Sequence, residues 1–258
     1  RDGKYQLAAL KESAFDPLAR SCEFMLTEEA FHLFVGETGM ERIIRRSAEL
    51  ERLDNNGDVR KQGGIDFETI QRAVNYWFTY CLDLFGGEIS SNAANYFAAG
   101  LKGRFKEADR YTDHLALSDA YHLPLVEDGR LVQHDVPLRT AMNETLRDDY
   151  IVDCERAVRH WNEMLEAMGS PRRITLPNRR FHRRQGVYAG HFFNPMGELI
   201  SEAEFNRRRD DWLLSPADNA YLKSIMVRVR EPGKFAHWIA PPRKGIGGQD
   251  LEFAYVRD

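Results

Sequence analysis

Long apolar runs are missing from this sequence. No stretch approaches the roughly 20 residues that a membrane helix needs, and no secretory leader is visible at its start. Cysteine is scarce: 258 residues contain only Cys22, Cys81 and Cys154. These form neither a CxxC pair nor an even disulfide framework, which fits a reducing compartment. Charge of one sign is also lacking, since 36 Lys and Arg stand against 40 Asp and Glu for a formal net charge of −4. Nothing global therefore argues for nucleic acid or an anionic membrane. A soluble cytoplasmic protein is expected, with neither as a partner. A calcium loop is excluded too. Asp54-Asn55-Asn56-Gly57-Asp58 is followed by Val59 where an EF-hand needs Gly, and Ile65 stands where its bidentate Glu belongs. That stretch reads as a solvated turn.

What is present is helical periodicity. Tyr5, Leu7, Ala8, Leu10 and Ala14 suit a short first helix. Asp16 and Pro17 then suit a helix start, and Gly36 suits its stop. Between them Leu18, Cys22, Met25, Glu29 and His32 step by four, three, four and three, and so share one face. The apolar members predict that this face is buried. Burying an unpaired carboxylate beside an imidazole would cost several kcal/mol unless compensated, and a divalent metal is one compensation. Glu29 and His32 are an i, i+3 pair, the spacing by which four-helix carboxylate proteins direct two ligands from one helix at a di-iron or di-manganese centre. By spacing alone the signal is weak, and a Glu and His on a partly solvated face is the competing reading.

Further amphipathic helices are expected at 37–53, at 66–85 behind an Asp66 cap, and at 137–168 from Pro137 to Gly169. The 66–85 helix should bury Ile70, Val74, Trp77, Phe78, Cys81 and Leu82. A helix rich in small residues starts at Ser90 or Ser91 and ends in Lys102, Arg104 and Lys106. Two short apolar runs around Asp128-Gly129 predict a hairpin within 123–134. From Ser170 onward the chain is broken by Pro and Gly and rich in arginine, apart from a short helix at 202–212. The fold expected is mainly α: a helical region at 1–169 with the small hairpin, and an irregular extension at 170–258 packing on it. The arginines at 172–184, flanked by Phe181, Tyr188 and Phe192, can be ion-paired surface or can grip a phosphorylated ligand.

The runs RDGKYQLAAL, SAFDPLARSCEFMLTEEAFHLFVGETG, DLFGGEISSNAANYFAAGLKGRFKE and PGKFAHWIAPPRKGIGGQDLEFAYVR resemble, in that order, the later half of the oxygenase components of the benzoyl-CoA 2,3-epoxidase family. The resemblance implies a ferritin-like helical bundle, incomplete in this chain, and a di-iron centre that activates O2 to epoxidise the ring of benzoyl-CoA. It also implies a separate flavin and iron-sulfur reductase delivering electrons from NADPH. Glu29 and His32 match the family's second Glu-x-x-His and are implied as iron ligands. The first Glu-x-x-His and another carboxylate fall before this chain begins, and a further aspartate falls immediately ahead of Arg1. One departure is Phe31, where relatives carry His. No other of the eight histidines has Glu three places before it; the nearest imitation, Asp119-x-x-His122, reads as a loop before Pro124. This chain thus carries about half of an iron site and is expected to be inactive alone. Coenzyme A phosphates would be met by Lys102, Arg104, Arg179, Arg180 and Lys244. The alternatives are a non-catalytic metal-binding protein whose site is completed by dimerisation, and a metal-free structural helical protein. Monomer and homodimer both stay open.

Overall fold

A computed structural model describes residues 1–53, 58–103 and 119–226. The order is helix α1 (Asp2–Lys11), α2 (Asp16–Leu53), α3 (Phe67–Asp83) and α4 (Ser91–Ala98), then strands β1 (Ala120–Glu127) and β2 (Arg130–Pro137), then α5 (Met142–Ala167), α6 (Glu202–Trp212) and α7 (Pro216–Ile225). The fold is mainly α, with one two-stranded antiparallel hairpin. No described helix is long and apolar enough to cross a membrane. The chain divides into Arg1–Ser215 and Pro216–Asp258; of the second, α7 is described.

The two helices expected at 17–35 and 37–53 are one. α2 runs unbroken through Gly36 and Gly39 for 38 residues, roughly 57 Å at the usual rise. A glycine inside a helix costs only ~1 kcal/mol relative to Ala, and packing of the flanking turns overrides that. Ile44, Ala48 and Leu50 anchor the second half in the interior. The first half differs from expectation. Cys22 is buried, but Met25 is 53% exposed, and Phe24, Phe31 and Phe34 are more exposed still.

Asp66 caps α3 by accepting from the Thr69 backbone amide at 2.8 Å, as its sequence position predicts. α3 buries Ile70, Phe78 and Leu82, but Trp77 is 57% exposed rather than interior. α4 stops at Ala98, with Gly100 in the left-handed conformation beyond it, so Lys102 lies past the helix rather than in its last turn. The hairpin pairs Glu127 with Arg130 across Asp128-Gly129. Both turn residues have positive φ, 47° and 74°, the type I′ geometry that matches strand twist. Its register reaches Ala120 opposite Pro137, so His122 lies in a strand and not a loop. Pro137 ends that strand; a single 3-10 turn, Leu138–Thr140, separates it from α5.

Two apolar clusters hold α1, α2, α3 and α5 together. One joins Ile44 and Ala48 to Phe67, Ile70, Trp161 and Leu165. The other joins Tyr5 and Ala9 to Phe78, Leu82, Leu146 and Tyr150. Residues 170–215 add two further clusters: Tyr188 and Phe193 against Leu123 and Val136 of the hairpin, and Phe181 against Phe205, Trp212 and Leu213.

Candidate functional site

Glu29 and His32 sit one turn apart near the middle of α2, and Glu29 Oε2 lies 3.3 Å from His32 Nδ1. A carboxylate only accepts, so in the neutral ring Nδ1 carries the proton and Nε2 keeps its lone pair. The Glu29 side chain folds over α1 at Gly3, where a Cβ would come within 2.8 Å of Oε1. Gly3 thus gives the carboxylate its room. The His32 side chain is 66% exposed and that of Glu29 19%.

His32 stands on the rim of an apolar cleft of about 360 Å³ between α2, α3 and α5. Met40, Val74, Trp77, Phe78, Tyr150 and Trp161 are among its walls, with Arg1 and Glu37 on the polar side. Such a volume lies at the small end of ligand pockets. Arg1 donates to Asp153 at 2.6 Å and also to Glu37. Burial opposes ionisation of Asp153, but Arg1, with Lys4 and Arg156, outweighs it and holds the carboxyl below its usual range. Deeper in the cleft, burial raises the Tyr150 hydroxyl far above its ordinary value and pushes the neighbouring Cys154 up to about 11. These groups stay protonated, and the floor of the cleft is uncharged.

As metal donors, Glu29 and His32 supply one hard oxygen and one imidazole nitrogen, a set suited to iron. They fit as part of a ligand set and not as a whole one. Among the described residues no group of three or more His, Cys, Asp or Glu converges on one point.

Of the residues expected to meet phosphates, Lys102, Arg179 and Arg180 lie among the described residues. Arg179 donates to Asp148 and to Glu144, both at 2.6 Å, so carboxylates already occupy both ends of its guanidinium. Arg180 turns instead to the Gly197 carbonyl at 3.1 Å and lies over the Phe193 ring. Lys102 is half-buried, and burial lowers its pKa. Arg104 and Lys244 lie outside the described residues.

Arg179 belongs to a buried charge network that the sequence did not announce. Arg147 meets Glu144 and, at 3.6 Å, Glu88; Arg183 meets Glu88 at 2.8 Å and Asp83 at 2.6 Å. Burial, reinforced by Arg183, lowers Arg147 to about 10, which leaves it charged at neutral pH. The network ties the end of α3, the start of α5 and the 179–188 loop together. Gly186 is required there, because with φ at 81° any Cβ would overlap the Glu88 carboxylate.

No family model matches the chain. The benzoyl-CoA oxygenase component B of Aromatoleum evansii is 47% identical over 260 residues, which cover all of this chain. The match is to its C-terminal portion. The chain spans 55% of the length of that relative.

Proposed function

We propose that this chain is the later part of the oxygenase component of a di-iron monooxygenase that epoxidises the aromatic ring of benzoyl-CoA. The observation that carries the reading is the 47% identity, along the whole chain, to a protein named benzoyl-CoA oxygenase component B. The apolar cleft beside His32 supports it. In this reading Glu29 and His32 hold iron, with further ligands contributed from outside this chain. The bound metal supplies the reductive activation of O2.

The chain's own residues do the rest. Phe78, Trp77 and Trp161 offer the faces and edges that an aromatic ring packs against. The protonated Tyr150 and Cys154 keep charge away from the floor, so a neutral ring is favoured over free benzoate. Glu29 and His32 lie within 3.3 Å of each other, so the two side chains are close enough to serve one metal centre, with iron replacing the hydrogen bond between them. The name "component B" of the relative supports a division of labour with another component; our reading makes that component a flavin and iron-sulfur reductase that passes electrons from NADPH.

Oxygen uptake by the protein expressed in full, supplied with iron, reductase and NADPH, tests this reading. Uptake should depend on benzoyl-CoA, and labelled O2 should leave one atom in the product. Uptake indifferent to benzoyl-CoA would end it.

A further inference from the structure

The guanidinium of Arg184 lies 5.3 Å from the Tyr76 ring centre and 5.9 Å from that of Tyr80. The two tyrosines, one helical turn apart on α3, are nearly parallel, at 15° and 6.2 Å. Trp77 stands edge-on to both, at 5.2 and 5.8 Å. Trp77, Tyr80 and Arg184 are all exposed. Tyr76 is half-buried against the Phe181 cluster, but the exposure of Trp77 and Tyr80 beside a cation is not explained by packing.

The backbone holds this arrangement in place. Asp83, at the end of α3, accepts from Arg183 Nε and, with its other oxygen, from the Arg184 amide at 3.0 Å. The Arg184 side chain is thereby sent back along α3 over the tyrosines. Arg172, Arg179 and Arg183 all face carboxylates, yet among the described residues none pairs with Arg184. The local field is positive: burial, then Arg184 and Arg209, push the neighbouring His182 down to about 4.

A cation that has no carboxylate partner among the described residues and lies over two aromatic rings suits a ligand that is both planar and anionic. Purines stack on aromatic faces regardless of sequence context, and guanidinium takes phosphate oxygens in pairs. Trp77 supplies the connection, because it also lines the cleft beside His32. Resting on the acyl-coenzyme A reading above, we infer that Arg184, Tyr76 and Tyr80 form the shelf that takes the adenine nucleotide end of the thioester. The pantetheine arm then passes over Trp77 into the cleft. The basic mouth is this shelf rather than Arg179 and Arg180.

Calorimetric titration of the protein expressed in full tests this with three ligands: benzoyl-CoA, adenosine 3′,5′-bisphosphate, and benzoyl-pantetheine, which lacks the nucleotide. Arg184→Gln keeps the backbone bond to Asp83 and should weaken the first two by about tenfold, the scale of a single 1.4 kcal/mol contact, while leaving benzoyl-pantetheine unchanged. Tyr80→Leu should act in the same direction. Arg207→Gln, on exposed α6, should do nothing. Unchanged benzoyl-CoA affinity in both shelf variants, with benzoyl-pantetheine still bound, would overturn the shelf and leave the ring pocket standing. If the unaltered protein binds neither thioester, the acyl-coenzyme A reading falls and the shelf with it. Loss of reductase-driven electron transfer with nucleotide affinity intact would assign the patch to a protein partner and also overturn the proposal.

Discussion

Arg183 Nε lies 2.6 Å from Asp83 Oδ1, and both side chains are buried. Desolvating two charges is costly, and the pair is stabilised because Arg183 also meets Glu88, which in turn accepts from the Val187 amide at 2.7 Å. Removing one member leaves its partners charged and dry. Glu88→Ala removes the carboxylate that lies between Arg147 and Arg183 and leaves the two buried cations facing each other with only Glu144 and Asp83 to balance them, and we expect a loss of about 3 to 5 kcal/mol. Urea unfolding of the variant measures it. A loss below ~1 kcal/mol, the scale of an exposed pair, would contradict the network's role.

His182 gives this protein a defined acid sensitivity. Its folded pKa of about 4 lies below the ordinary 6.5, so between those values the unfolded chain binds the extra proton. The stabilisation is complete above about pH 6.5 and is lost as pH falls through about 4. Asn tolerates the positive φ of 50° at this position. His182→Asn should therefore flatten the dependence of unfolding free energy on pH across that window, although the ring's stack on Phe205 is lost. An unchanged slope would assign the acid response to other groups.

Gly39 lies inside α2 with nothing within 4 Å of where its Cβ would be. Ala there removes backbone freedom from the unfolded chain without strain in the folded one. Gly39→Ala should raise stability by about 0.4 to 1 kcal/mol, read as an increase in the urea midpoint. Destabilisation would mean that α2 does not continue through this point.

The parts of the fold that were legible in the sequence are those set by neighbours along the chain. Asp66 caps α3 through its own third neighbour, and Asp128-Gly129 needs only two left-handed residues to close the hairpin. Glu29 and His32 were legible for the same reason, since three residues on a helix decide their contact. Gly36 misled because its local cost is small beside what the packing of α2 returns. Trp77 misled because it fits the apolar stripe of α3 yet borders a cleft rather than filling a core. Apart from the i, i+3 pair of Glu144 and Arg147 on α5, the charge network had no local signal. Glu144 and Arg179 are 35 positions apart and Asp83 and Arg183 100, and six arginines in a row of loops give no hint of which is buried.

The most direct test of the account is the iron content of the protein expressed in full and isolated after iron loading, compared among the unaltered chain, His32→Ala and Glu29→Ala. Metal analysis alongside far-UV circular dichroism separates ligand loss from unfolding. The account predicts that each variant loses half or more of its bound iron while its helicity is unchanged, because α2 is anchored in the interior by Ile44, Ala48 and Leu50 rather than by these two side chains. Full iron content in both variants would contradict it.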